Sequence, residues 1–242
     1  MWRRVTSPVF FGLENVPREG PAMLVGNHTL YGVLDVPFLM LELWERHGIR
    51  LVGLGDHQHF RVPLWRDFLA AFGAVDGTPE NASRLLDAGA HLLVFPGGAW
   101  EVFKRKGQAY QLSWRKRTGF ARLALRHGVP VVPVSAVGAD ETWRILLDAD
   151  ELLATPPGRV LRRLGLREDL VPPISRGLGP TLLPRPERYY FRAGEPIVPA
   201  PGESPEALRA RVEAAVIAGI DALLLHRESD PGRYPWGRAR GA

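Results

Sequence analysis

Four short apolar runs, residues 22–26, 49–54, 91–95 and 129–134, recur along the first part of the chain, and helical spacing fills the intervals between them. Such runs are too short for helices and are bounded by glycine and proline, so they read as buried strands. Between them, residues 35–47 are predicted helical with Gly48 as the stop, and residues 63–72 form a short helix opened by proline and stopped by Gly73. Residues 79–88 follow a Thr78 cap, and residues 118–127 end at Gly128. Residues 9–17 add an edge strand and turn, and residues 74–76 a strandlet. Residues 189–193 and 197–198 supply a last strand, and Ser204-Pro205 opens a closing helix with Leu208, Val212, Val216, Ile220 and Leu223 at helical spacing.

Strand–helix alternation at this length predicts the α/β class: a single domain with a mostly parallel β-sheet flanked by helices. The domain is expected over residues 1–226, with residues 227–242, rich in Gly, Pro and Arg, as a flexible tail. Residues 156–186 lack clear periodicity and read as an excursion from the core. Residues 35–47 are apolar on nearly every face, which predicts deep burial or contact with lipid.

Two strand ends carry chemistry. The first core strand stops at Gly26-Asn27, His28 follows at once, and Asp35 stands as the natural N-cap of the next helix. This puts an imidazole at the carboxyl edge of a sheet, where open α/β folds place their sites. A His with a carboxylate to fix its tautomer is the minimal kit for taking a proton from a hydroxyl. The bland alternative is a hydrogen-bonding turn residue. At the second strand end, Phe95-Pro96-Gly97-Gly98 forces a sharp turn whose N–H groups suit an oxyanion or phosphate. Trp100, Glu101 and the run Lys104-Arg105-Lys106 follow; the alternative here is an ordinary turn with a solvated charge cluster.

Composition excludes several classes. The chain has no cysteine, hence no disulfide, thiolate nucleophile or cysteine-ligated metal. Its net charge is +5 and only Lys104, Lys106 and Lys116 are lysines, a balance that favours phosphate-bearing partners. No window approaches the ~20 apolar residues of a membrane span, and the N-terminus lacks the apolar run of a signal peptide. His57-x-His59 offers two metal ligands without the further His and carboxylate partners such a site needs. Gly53-x-Gly55 breaks the dinucleotide fingerprint at Gln58. There is no G-x-S-x-G elbow and no nucleic-acid-binding signature. Residues 143–147 and 160–167 mix apolar residues with arginine at helical spacing, which suits either a membrane-surface patch or a half-buried helix.

Taken in order, these stretches resemble the phospholipid/glycerol acyltransferase superfamily, from about Gly12 to Asp140. Gly12-Leu13-Glu14-Asn15-Val16-Pro17 is similar to its lead-in, and Gly26-Asn27-His28 through Asp35 to its His/Asp motif. Gly73-Ala74-Val75 is similar to its second block, Phe95-Pro96-Gly97-Gly98 to its F-P-E-G block, and Val131-Val132-Pro133-Val134 to its closing block. Three departures stand out. Six residues separate His28 from Asp35 where the family has four, which makes Asp56 another candidate partner. Gly97 stands where the family has Glu, and Trp100 where it has an Arg used towards an acceptor phosphate. The P-G-G-A-x-E pattern resembles the diacylglycerol-acyltransferase-like branch.

The resemblance implies transfer of a fatty acyl group from acyl-CoA or acyl carrier protein, as co-substrate, to a lipid hydroxyl, with no cofactor and no acyl-enzyme. His28 takes the acceptor proton, Asp35 orients the imidazolium, and the amides around Gly97-Gly98 receive the oxyanion. Asn27, Phe95, Pro96, Gly97, Gly98, Trp100, Glu101, Lys104 and Arg105 are expected at the substrates. Losing a bidentate phosphate ligand at Trp100 favours an uncharged acceptor, such as diacylglycerol or a long-chain alcohol, over lysophosphatidate. Lys104–Lys106 and Arg115–Arg117 are expected to meet donor phosphates or anionic headgroups, with the protein peripheral on the cytoplasmic, inner face of a membrane. The competing readings are a lysophospholipid acyltransferase, a non-catalytic lipid-binding protein on the same fold, and a metal-dependent hydrolase built on His57 and His59.

Overall fold

The structure, a computed structural model, describes residues 2–234. A short helix α1 (Trp2–Thr6), unforeseen in the sequence, precedes the edge strand β1 (Val9–Phe11). The strands β2 (Met23–Gly26), β3 (Leu51–Gly55), β4 (Ala74–Asp76), β5 (His91–Val94) and β6 (Val131–Val137) follow at the predicted places. Helices α2 (Asp35–His47), α3 (His57–Phe60), α4 (Trp65–Ala71), α5 (Pro79–Asp87), α6 (Ala99–Val102) and α7 (Gly119–His127) lie between them. Beyond β6 come β7 (Arg144–Leu147), α8 (Ala149–Ala154), α9 (Pro156–Arg163), β8 (Ile174–Arg176), β9 (Tyr190–Ala193) and the long α10 (Pro205–Ser229).

Seven strands form one sheet in the order β1-β9-β6-β2-β5-β3-β4. Every pairing is parallel except β6 with β9. The architecture is the α/β single domain expected, and its central strands are buried on both faces, as parallel sheets require. Alternation along β2 shows why: Met23 and Val25 join a core with Trp114, Phe120 and the inner face of α10, while Leu24 joins a second core with Leu39 and Leu43 of α2. Thr78 and Ser204 cap their helices through bonds from the Asn81 and Ala207 N–H groups.

Several expectations are corrected. Residues 143–147 are no helix: β7 pairs antiparallel with β8 in a separate two-stranded ribbon. The excursion has structure of its own, α9 and β8. Helix α2 buries Asp35, Leu39, Glu42 and Leu43 but leaves Trp44 half exposed, so it is not buried on every face. Residues 197–198 reduce to a single bridge between Ile197 and Val131. Pro63 precedes α4, which starts two residues later.

Helix α10 continues past residue 227 because its end is tied down. Arg227 is buried against Glu141 and Glu187. Asp230 accepts bonds from the Arg188 guanidinium (3.0 Å) and the Tyr190 hydroxyl (2.6 Å). The tail expected over residues 227–242 is thus anchored as far as these contacts reach, and residues 235–242 lie outside the described residues.

Candidate active site

The carboxyl ends of β2 and β5 bring His28 and the Pro96-Gly97-Gly98 turn together, since the two strands are neighbours in register from Met23–Leu92 to Val25–Val94. Just beyond β2, Asn27 is buried and spends both ends of its amide on the backbone of Ala136, donating to its C=O and accepting from its N–H, each at 2.9 Å. It was expected at the substrate; its amide pins the strand end to β6 instead. The His28 ring stacks on Phe95 with centroids 4.1 Å apart and planes at 20°. Gly32, at φ 59°, packs against the same ring: a Cβ there would fall 1.9 Å from the imidazole Cε1. The turn therefore needs glycine both for its left-handed backbone and for room.

His28 Nδ1 is enclosed and has no hydrogen-bond partner, while Nε2 is not enclosed. Burial, helped by the nearby Lys104 ammonium, pushes the imidazole pKa down to about 3, against an opposing pull from Asp140. The ring is accordingly neutral at physiological pH.

Asp35 does not supply the expected partner. It is the first residue of α2, with Leu34 at the cap position. Its Oδ1 is buried and unbonded, and burial raises its pKa, partly offset by Thr29 and its own backbone N–H. No hydrogen bond joins the carboxylate to the His28 ring, whose Nδ1 is unpartnered. The other candidate, Asp56, caps α3 through the Gln58 N–H.

Glu101, expected at the substrates, is bonded to the backbone of the site. Its carboxylate is fully buried, accepting the His28 N–H through Oε2 and the Ser113 N–H through Oε1, both at 2.8 Å. Burial raises its pKa against these two bonds. A Cβ on Gly97 would lie 2.2 Å from Glu101 Cδ. The side chain that the F-P-E-G pattern carries at position 97 is missing, and a carboxylate from one helical turn later fills its space. The signal was the paired change, Gly for Glu with Glu four residues on.

The turn is held from outside by Arg117, whose guanidinium donates to the carbonyls of Pro96 (2.8 Å) and Gly97 (3.0 Å). The Gly98 N–H is spent on the Phe95 carbonyl, so of the two amides expected to receive an oxyanion only that of Gly97 is without a partner among the described residues. Trp100 lies beneath two guanidinium groups, Arg115 at 3.7 Å and Arg105 at 5.2 Å from its ring centroid.

Lys104 and Arg105, both expected at the substrates, are buried and already paired within the protein, and both line the cavity beside them. Lys104 Nζ donates to Asp140 at 2.9 Å, and Asp140 also accepts the Leu30 and Tyr110 N–H groups. Arg105 bonds the Phe103 carbonyl and pairs with Asp150. A cavity of about 490 Å³ opens beside them, lined by Leu30, Lys106, Trp143 and Arg144 among others. His57 pairs with Asp76 at 2.7 Å. Among the described residues no three His, Cys, Asp or Glu side chains gather as a metal site, and no helix is long and apolar enough to cross a membrane.

A family profile described as Acyltransferase matches residues 8–137. The chain is 31% identical over 246 residues to phytyl ester synthase 1, chloroplastic, of Arabidopsis thaliana, a match covering 92% of this chain and 35% of that protein. It is 30% identical over 135 residues to the DGAT1/2-independent enzyme synthesizing storage lipids of Bos taurus, covering 56% of this chain and 40% of that protein. The chain thus spans well under half the length of either relative. Among solved structures, the 1-acyl-sn-glycerophosphate acyltransferase PlsC of Thermotoga maritima shares the fold. Its TM-score is 0.54 at 19% identity, over 92% of this chain and 79% of that one.

Proposed function

The chain belongs to the acyltransferase family, and on that footing we propose that it moves a fatty acyl group from a thioester donor, acyl-CoA or acyl carrier protein, to a lipid hydroxyl. The observation that carries this is His28: a neutral imidazole with Nε2 open, held beside the Pro-Gly-Gly turn and its free Gly97 N–H. The acceptor O–H gives its proton to Nε2 while its oxygen attacks the thioester carbonyl. The C–S bond then breaks, and the thiolate leaves with the proton returned by the imidazolium. Gly97 N–H stabilises the oxyanion between the two steps. Glu101 is a positioning residue that fixes the backbone from which the imidazole hangs.

We assign an uncharged acceptor, diacylglycerol or a long-chain alcohol. The indole at position 100 and the names of the plant and bovine relatives support this choice. The enzyme works at the cytoplasmic face of a membrane, where both substrates are met. Thiol release from acyl-CoAs, with diacylglycerol, a fatty alcohol or lysophosphatidate as acceptor, tests the reading in wild type and His28→Ala. Acceptor-dependent release that falls by about 10²–10⁴ in the variant is the expected result. Preference for lysophosphatidate overturns the acceptor assignment. A second reading, a lipid-binding protein without turnover, draws on the unpartnered Nδ1, and absence of release from folded wild type with every donor and acceptor would favour it.

A further inference from the structure

Two segments of the fold carry runs of exposed large apolar side chains. In and flanking α4, Val62, Leu64, Phe68 and Phe72 are all exposed, Leu64 at 83%. In and after α9, Val160, Leu161, Leu164 and Leu166 are exposed, Leu164 at 78%. Helix α9 is anchored near its start, where Gly158 is buried against Leu152 and Leu153, and residues 159–167 are all exposed.

Both segments flank the carboxyl edge of the sheet. Arg167, just past α9, feels the charge of Asp56 at the cap of α3. His59 of α3 in turn contributes to the field at His28. The chain following α9 closes on the site loop: Tyr31, three residues after His28, donates to the Pro173 carbonyl at 2.9 Å and meets the Ser175 hydroxyl at 2.6 Å.

Charge distinguishes one occupant. Residues 159–167 contain four arginines and no acidic residue. Arg162 and Arg167 pair with Glu168 and Asp169, whereas Arg159 and Arg163 have no carboxylate partner among the described residues. Cations interleaved with exposed leucines on a short helix match a lipid surface whose headgroups are anionic and whose acyl region is apolar.

We propose that residues 62–72 and 159–166 form a bilayer-docking surface that takes the anionic leaflet of a membrane and sets the mouth of the site against it. The proposal rests on the lipid-acyltransferase reading only for why the surface lies beside the site, and its test needs no turnover.

The experiment is co-sedimentation of the full chain with vesicles of phosphatidylcholine alone or mixed with phosphatidylglycerol, at low and high salt. Wild type is expected to partition onto the anionic vesicles, and salt to release it. Arg159→Gln/Arg163→Gln should lower the partition coefficient roughly thirtyfold, the attraction of two surface arginines. Leu161→Ser/Leu164→Ser and Leu64→Ser/Phe68→Ser should each lower it tenfold or more on neutral and anionic vesicles alike. Circular dichroism checks each fold, and the arginine pair, replaced on a fully exposed surface, serves if the serine variants fail to fold. Thiol release from a short-chain, water-soluble acyl-CoA should be unchanged in the arginine pair, which separates failure of docking from failure of catalysis. Wild type that ignores both vesicle types, or folded variants that bind like wild type, would overturn the surface. So would light scattering showing a wild-type dimer that these substitutions convert to monomer, since a second copy would then be the occupant.

Discussion

Residues 104–106 and 115–117 read almost as mirror images, Lys-Arg-Lys and Arg-Lys-Arg, eight residues apart on the same side of the Gly-rich turn. The structure gives them opposite fates. Lys104 is buried in an ion pair with Asp140, Arg105 is buried against carbonyls, and Lys106 pairs with Glu151. Arg115, Lys116 and Arg117 are all exposed. What separates them is the neighbourhood: the chain after β6 brings Asp140, Asp148, Asp150 and Glu151 to the first run and none of them to the second. A local count of positive charge thus says nothing about which cations meet an anionic substrate.

The sharpest way to break this contrast is to neutralise one lysine from each run. Lys104→Met should cost about 3–5 kcal/mol in denaturant unfolding, because it strands Asp140 as an unpaired buried carboxylate. Lys116→Met should change stability by less than about 0.5 kcal/mol. Equal losses would abolish the distinction.

Just before the first run, Glu101 bonds the His28 and Ser113 N–H groups and so ties the root of the second run to the site. Glu101→Gln leaves one of those N–H groups facing an NH₂. We expect a loss of about 1–3 kcal/mol and a fall in kcat at little-changed KM. A rise in donor KM with kcat intact would instead make Glu101 a substrate ligand.

Only the first run is felt by the imidazole. Lys104 lowers the His28 pKa whereas no residue of the second run does, so in folded Lys104→Met the pKa should rise from about 3 as followed by NMR, and in Lys116→Met it should stay. The sign of the linked stability follows. His28 binds its proton less readily folded than unfolded, so its contribution turns against folding as pH drops from about 6.5 towards 3. Urea midpoints for wild type and His28→Ala should therefore diverge at acid pH, with wild type the more acid-sensitive.

The smallest effect belongs to the exposed run. Lys116→Glu, on a residue with no carboxylate partner among the described residues, is expected to raise acyl-CoA KM several-fold in low salt, an effect that disappears at high salt. An unchanged KM would remove the second run from donor recognition.

Much of the fold was legible because its signals are local. The strands of residues 22–26 and 91–95 are apolar runs cut by Gly and Pro, and Thr78 and Ser204 cap through their own side chains. Residues 143–147 misled because a five-residue run of apolar and arginine residues fits helical and strand periods alike. Pairing with Ile174 to Arg176, far along the chain, decided it. Of the candidate site, the neighbouring strand ends that carry His28 and the Pro-Gly-Gly turn were legible in the same way. Asp35 was misjudged as partner because spacing along a loop does not fix where a side chain points.

The sequence by itself determined the α/β class, the strand ends that carry the candidate site, and the place of the imidazole at one of them, since short-range periodicity and backbone freedom are properties of neighbouring residues. Tertiary structure alone decided which carboxylate serves that imidazole's backbone, which of two like basic runs is exposed, and which leucines stay in the open. Each of those depends on charge and burial supplied by residues tens of positions away, and no local pattern encodes them.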